Sequence, residues 1–115
     1  MSNPESILQK YWGFESFRYP QKKVIEQALL GNDVLALLPT GAGKSICFQV
    51  PPLCQNGICI VISPLVALMN DQVIGLKDLD INAERVHSGM PESKRTQIWG
   101  EFKNKEIKIL YISPE

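Results

Sequence analysis

Apolar positions along this chain follow two rhythms, one helical and one extended. Ile7, Leu8, Tyr11 and Trp12 share one helical face. Asn3 supplies a capping side chain before Pro4 at the first helical position, and Gly13 provides a stop. Residues 14–20 have no clear period and are rich in aromatics. From Gln21, a second helix carries Val24, Ile25, Ala28 and Leu29 on one stripe; Gly31 ends it and Asn32-Asp33 make a turn. Val34 to Leu38 is a continuous apolar run, which predicts a strand covered on both faces. A third helix is expected from about Gly43. Pro51-Pro52 should kink or end it, because Pro51 has no N–H for the helical bond.

After the Asn56-Gly57 turn, Ile58 to Ile62 reads as another strand apolar on both faces, broken by Ser63-Pro64. Leu65, Leu68, Met69, Val73 and Leu76 trace a helical stripe to about Lys77, and a short strand is expected at Ala83 to Val86. Pro91 opens a last helix with Glu92 in its first turn, where the dipole favours an acid. Ile98 and Phe102 fall on its inner face with Trp99 beside them, and Ile107 to Ile112 is a further strand. Strands alternating with helices predict an α/β fold, a parallel sheet with helices on both faces. Such sheets bind ligands beyond the carboxyl ends of their strands. The 39–45 loop, Ser63-Pro64 and Ser113-Pro114 are therefore expected along one edge, although either Ser-Pro pair alone is also an ordinary strand terminator.

The totals narrow this picture only a little. A chain of 115 residues is at most one ordinary domain or part of one, and 44% hydrophobic content supports a core. Twelve basic and twelve acidic residues cancel, so any nucleic-acid binding would need a local patch. Cys47, Cys54 and Cys59 are odd in number and lack metal-ligand spacing; they read as buried, reduced thiols rather than a redox or metal centre. No apolar run reaches membrane-spanning length, and residues 1–5 lack the character of a signal peptide. The expectation is an intracellular protein with no membrane partner, cytoplasmic in a bacterium or nuclear in a eukaryote.

The chemistry concentrates in Leu38-Pro39-Thr40-Gly41-Ala42-Gly43-Lys44-Ser45. An expected strand precedes it and an expected helix follows, the setting of a phosphate-binding loop. Gly41 and Gly43 let successive N–H groups curl into one concavity at a helix N-terminus, where an anion is favoured. Lys44 can reach terminal phosphates, and the Ser45 hydroxyl can ligate Mg²⁺. The usual pattern begins with a glycine where this chain has Leu38, so the match is to the Thr-Gly-x-Gly-Lys-Ser half. The plainer alternative is a tight strand-to-helix turn with an exposed lysine. Upstream, the Gln21 amide can donate to and accept from an adenine edge, and an aromatic or arginine plane can cover a base. Aromatics before a helix also serve as core, and a single Gln is commonly solvated. His87 lies where a loop would meet the same edge, and a loop histidine with no role is its plainer reading.

Order along the chain adds a further signal. An aromatic-Gly-aromatic, Phe-Arg-x-x-Gln segment (residues 12–21) precedes Pro-Thr-Gly-x-Gly-Lys-Ser. Cys-Phe-Gln follows, then Ser-Pro-Leu-x-x-Leu-Met-x-Asp-Gln-Val, then Leu-Tyr-Ile-Ser-Pro-Glu. Over nearly its whole length the chain resembles the RecQ family of superfamily 2 DNA helicases. The resemblance implies a partial RecA-like P-loop NTPase domain. It casts residues 1–31 as a helical segment with an adenine-recognition motif, and residues 32–115 as the first part of the ATP-binding lobe. It implies that Phe14, Arg18 and Gln21 bind the adenine. Thr40, Gly41, Ala42, Gly43, Lys44 and Ser45 would bind the phosphates, with Lys44 in a catalytic role and Ser45 on Mg²⁺. Ser63, Pro64 and Leu65 would lie along single-stranded DNA. Phe14 stands where the family commonly has tyrosine, and Tyr19-Pro20 where it has Pro-Gly. ATP, Mg²⁺ and DNA, as a single strand or an unwinding duplex, are the implied cofactors and partner, and 3′-to-5′ unwinding the implied activity.

Phosphoryl transfer from ATP to water also needs an acid holding Mg²⁺, a group orienting the water and usually an arginine on the γ-phosphate. The family takes the first two from an Asp-Glu-x-His motif downstream and the arginine from a second lobe. The 115-residue chain is therefore expected to be the N-terminal piece of a motor lobe, inactive alone. A non-enzymatic nucleotide- or DNA-binding fragment remains open. So does another P-loop enzyme such as a small-molecule kinase, which leaves Phe14, Arg18, Gln21 and Ser63-Pro64 unexplained.

Overall fold

A computed structural model describes residues 2–38 and 43–114. Backbone contacts divide the chain into two compact units, Met1–Asn56 and Gly57–Glu115.

The first unit is helical. Helix α1 (Pro4–Ile7) is a single turn whose cap is the Asn3 side chain, accepting from the N–H of Glu5 at 2.8 Å and of Ser6 at 3.3 Å. The chain continues through a π-helical turn, Leu8–Trp12, and Gly13 closes it in the left-handed conformation. Helix α2 (Gln21–Leu29) and helix α3 (Lys44–Cys54) complete the unit. Its core is Ile7, Leu8, Ile25, Ile46, Val50 and Cys54, with Tyr11, Trp12, Phe17 and Leu29 packed against it. The two expected stripes therefore meet in one core. Lys22 pairs with Glu5 at 2.7 Å, joining α2 to α1 at the surface.

Of the kink or end expected at Pro51-Pro52 the structure excludes the end, and one further expectation for this unit fails. Helix α3 does not end at Pro51-Pro52 but runs on to Cys54. Both rings are buried, so packing compensates for the helical bonds that the missing N–H groups forfeit. Val34 to Leu38 is not a strand. Residues 34–38 have no regular structure, and Leu35 and Leu37 are 86% and 85% exposed rather than covered. A strand exists only through ladder bonds to a neighbour, and the described strands pair only with one another.

The second unit is an α/β layer structure. Strands β1 (Cys59–Ile62), β2 (Ala83–Val86) and β3 (Ile109–Ile112) form a parallel sheet in the order β1-β3-β2. Helices α4 (Val66–Asp78) and α5 (Glu92–Lys103) connect them. Alternation along β3 assigns the faces. Leu110 and Ile112 join Val86, Met90, Ile98, Ile107 and Phe102 in a core under α5. Tyr111 points the other way and donates its hydroxyl to Gln72 Oε1 of α4 at 2.6 Å. Helices thus lie on both faces, as expected for the fold class. The α4 stripe is buried at Met69, Val73 and Leu76.

The central strand is the covered one: Ile109, Leu110 and Tyr111 are essentially inaccessible. Strand β1 departs from the expected two-sided burial. Ile60 and Ile62 are 51% and 70% exposed. They share the α5 face of the sheet but sit on the edge strand away from β2, which α5 packs against. Helix α4 ends with Asp80 in the left-handed region, its N–H bonded to Lys77 and that of Ile81 to Leu76. Helix α5 ends in the same way at Lys105. No helix among the described residues is long and apolar enough to cross a membrane.

Candidate functional site

In the first unit the site is built where α2 and α3 begin. Gly43 is the residue before α3 and has φ 75° and ψ 42°, a left-handed conformation natural to glycine. Lys44 and Ser45 are the first two helical residues; Lys44 is exposed and Ser45 half-buried. An exposed ammonium at a helix N-terminus suits an anion more than a structural role. Thr40, Gly41 and Ala42 lie outside the described residues.

Gln21, the first residue of α2, is 3% exposed. Its Oε1 accepts from the Arg18 N–H at 2.8 Å, and its Nε2 donates to the Gly43 carbonyl at 3.0 Å. Burial of this polar amide is compensated by bonds to backbone on both sides. These bonds bring together two motifs far apart in sequence. Phe14 and Arg18 are exposed on the segment leading into α2, and Tyr19-Pro20 is a cis peptide. The base-contact candidates thus divide into two exposed side chains and one buried amide. Sequence reasoning identified Gln21 as a possible reader of a base but not its contact with Gly43. No periodicity or spacing carries that signal, because it depends on how α2 and α3 pack.

In the second unit, aligned strand ends gather another set of residues. Ile62 and Val86 are both in register with Ile112. The Ser63 N–H donates to the Ile112 carbonyl and the Ser113 N–H to the Val86 carbonyl, each at 3.1 Å. Ser63, His87 and Ser113 are therefore neighbours along the carboxyl edge of the sheet. Ser63 Oγ accepts from the Leu65 N–H at 3.2 Å, which starts the turn into α4 and leaves Pro64 and Leu65 exposed. His87 Nδ1 accepts from the Gly89 N–H at 3.2 Å, so this ring shapes its own turn. Among the described residues, no three His, Cys, Asp or Glu side chains converge as metal ligands. Burial pushes the thiols of Cys47, Cys54 and Cys59 above their ordinary range. That raises the barrier to thiolate chemistry and favours the structural reading.

A model of the DEAD/DEAH box helicase family matches residues 18–115. The chain is also similar to "ATP-dependent DNA helicase RecQ" of Synechocystis sp. (strain ATCC 27184 / PCC 6803 / Kazusa), 46% identical over 111 residues, covering 96% of this chain and 23% of that protein. It is 39% identical over 110 residues to "RecQ-like DNA helicase blm-1" of Caenorhabditis elegans, covering 94% and 11%. It is 35% identical over 113 residues to "ATP-dependent DNA helicase Q1" of Pongo abelii, covering 96% and 17%. The chain thus spans less than a quarter of the length of these relatives.

Proposed function

The chain belongs to the DEAD/DEAH box helicase family, and on that premise we propose that it is the ATP-binding portion of a RecQ-type helicase that unwinds DNA in the 3′-to-5′ direction. In this reading residues 1–31 carry the base-recognition segment and residues 32–115 the first part of the ATP-binding lobe. Phe14 and Arg18 cover the adenine, and Gln21 reads its edge. The amides of residues 40–45 hold the phosphates, and Lys44 carries positive charge to the terminal ones, where charge develops during transfer. Ser63, Pro64 and Leu65 belong to the DNA track.

The observation that best supports this reading is the left-handed Gly43 turning the chain into α3, with Lys44 exposed at the first helical position. Ser45 fits a magnesium ion. Mg²⁺ is commonly held by one or two protein oxygens together with substrate phosphates, and Ser45 is half-buried beside Lys44 at that helix start. When bound, the ion would neutralise phosphate charge. The chain's own part is to seat the triphosphate and exclude other orientations.

Titration with a fluorescent ATP analogue tests the assignment. Lys44→Ala should weaken binding by at least about tenfold, the scale of one charge-assisted contact. Undiminished affinity in that variant would overturn the site. Competition by unlabelled ATP and GTP measures the base preference, which should favour ATP.

A further inference from the structure

We propose that Tyr111 and Gln72 are positioning residues for the DNA-facing turn between β1 and α4, acting on strand binding through their mutual hydrogen bond without touching the strand. This rests on the reading of Ser63, Pro64 and Leu65 as part of the DNA track, and adds to it the pair that holds them in place.

The turn hangs between the sheet and a helix. At its start, the Ser63 N–H donates to the Ile112 carbonyl of β3 at 3.1 Å. Within it, Ser63 Oγ accepts from the Leu65 N–H at 3.2 Å. At its end, the Leu65 carbonyl accepts from the Met69 N–H of α4 at 3.0 Å. One end of the turn is thus fixed to β3, and the other moves with α4. Its shape follows from where α4 lies relative to β3.

Apolar burial seats α4 through Met69, Val73 and Leu76. That attraction is non-directional and leaves a helix some freedom to slide or roll. A hydrogen bond is directional. The Tyr111 hydroxyl donates to Gln72 Oε1 at 2.6 Å, from a ring that is buried in the sheet layer. Tyr111 is also the residue next to Ile112, so adjacent positions of β3 hold the helix and the turn. Leu68 lies one helical turn before Gln72 on the same side of α4. Both Leu68 and Leu65 are exposed. A roll of α4 that released Gln72 would carry these two side chains with it.

The consequence separates positioning from stability. If the bond only stabilised the fold, an equally mild change elsewhere in the core would affect DNA binding in the same way. If it sets the turn, DNA affinity falls when this bond is lost and not when stability is lost elsewhere.

The test uses the 115-residue chain, with binding of a fluorescein-labelled single-stranded oligonucleotide followed by anisotropy. Tyr111→Phe and Gln72→Met should each weaken binding at least about threefold, the scale of one net hydrogen bond, at unchanged helix content. Combining them should cost no more than either alone, because both remove the same bond. Ile98→Val, a mild change in the core under α5, should leave DNA affinity unchanged. Undiminished affinity in Tyr111→Phe, or an equal loss in Ile98→Val, would overturn the proposal. Failure of both Tyr111→Phe and Gln72→Met to fold would also overturn it, making the pair purely structural. An unsubstituted chain that binds no single strand, or a Leu65→Ala variant that binds as well as the unsubstituted chain, would instead count against the DNA-track reading, a distinguishable result.

Discussion

The Tyr111 hydroxyl donates to Gln72 Oε1 at 2.6 Å and ties the central strand β3 to helix α4. Tyr111 is 1% exposed, so its polar tip is paid for by this contact within an otherwise apolar layer. Tyr111→Phe keeps the ring and deletes the donor. The expected cost is about 1 kcal/mol, the usual net value of one hydrogen bond. Urea unfolding should show a lower midpoint at unchanged slope, with ATP-analogue affinity preserved. An unchanged midpoint would mean the bond contributes nothing beyond ring packing.

Lys105 closes helix α5 at φ 61°, with its N–H bonded to the Phe102 carbonyl and that of Glu106 to the Glu101 carbonyl. The same pair of bonds closes α2, where the left-handed residue is Gly31. A side chain in this region costs about 1 kcal/mol or more, a cost glycine avoids. Lys105 is exposed, so its side chain adds little packing. Lys105→Gly should therefore stabilise the chain by somewhat under about 1 kcal/mol, part of the gain being offset by glycine's unfolded-state entropy. Thermal melting should register the increase; a decrease would show that the lysine makes a contact worth more than the strain.

Burial holds the Cys47, Cys54 and Cys59 thiols above their ordinary range. At neutral pH alkylation should be slow in the folded chain and speed up sharply in denaturant. The linkage has a definite sign. Above the ordinary thiol range the unfolded chain loses these protons first, so it binds fewer protons than the folded one and stability falls as pH rises. The effect should be absent below that range. Substituting the three cysteines by alanine should remove the alkaline slope. A slope that persists would assign it to other groups.

Local chemistry made much of this fold legible. Asn3 caps a helix because its oxygen reaches the free N–H groups of Glu5 and Ser6, whatever else the chain does. Ala83–Val86 pairs as a strand over the expected bounds. Met69, Val73 and Leu76 are buried because their spacing puts them on one side of α4. Lys105 and Asp80 were not legible as helix ends, since a left-handed lysine or aspartate has no compositional mark comparable to Gly31. Of the candidate site, the residue types around Lys44 could be named from their order, whereas the bond between Gln21 and Gly43 could not.

Turns, caps, stripes and the family motifs were determined by the sequence itself, because each depends on neighbours within a few positions or on residue order. Tertiary structure alone decided which apolar runs became strands and which atoms of distant motifs met. Val34 to Leu38 has the composition of a covered strand, yet a strand and its burial are supplied by what lies beside it, and no described strand pairs with it. Strand β3 lies between two strands and is covered; β1 and β2 are both edges among the described strands, but α5 packs on β2, so Val86 is buried while Ile60 and Ile62 stay exposed.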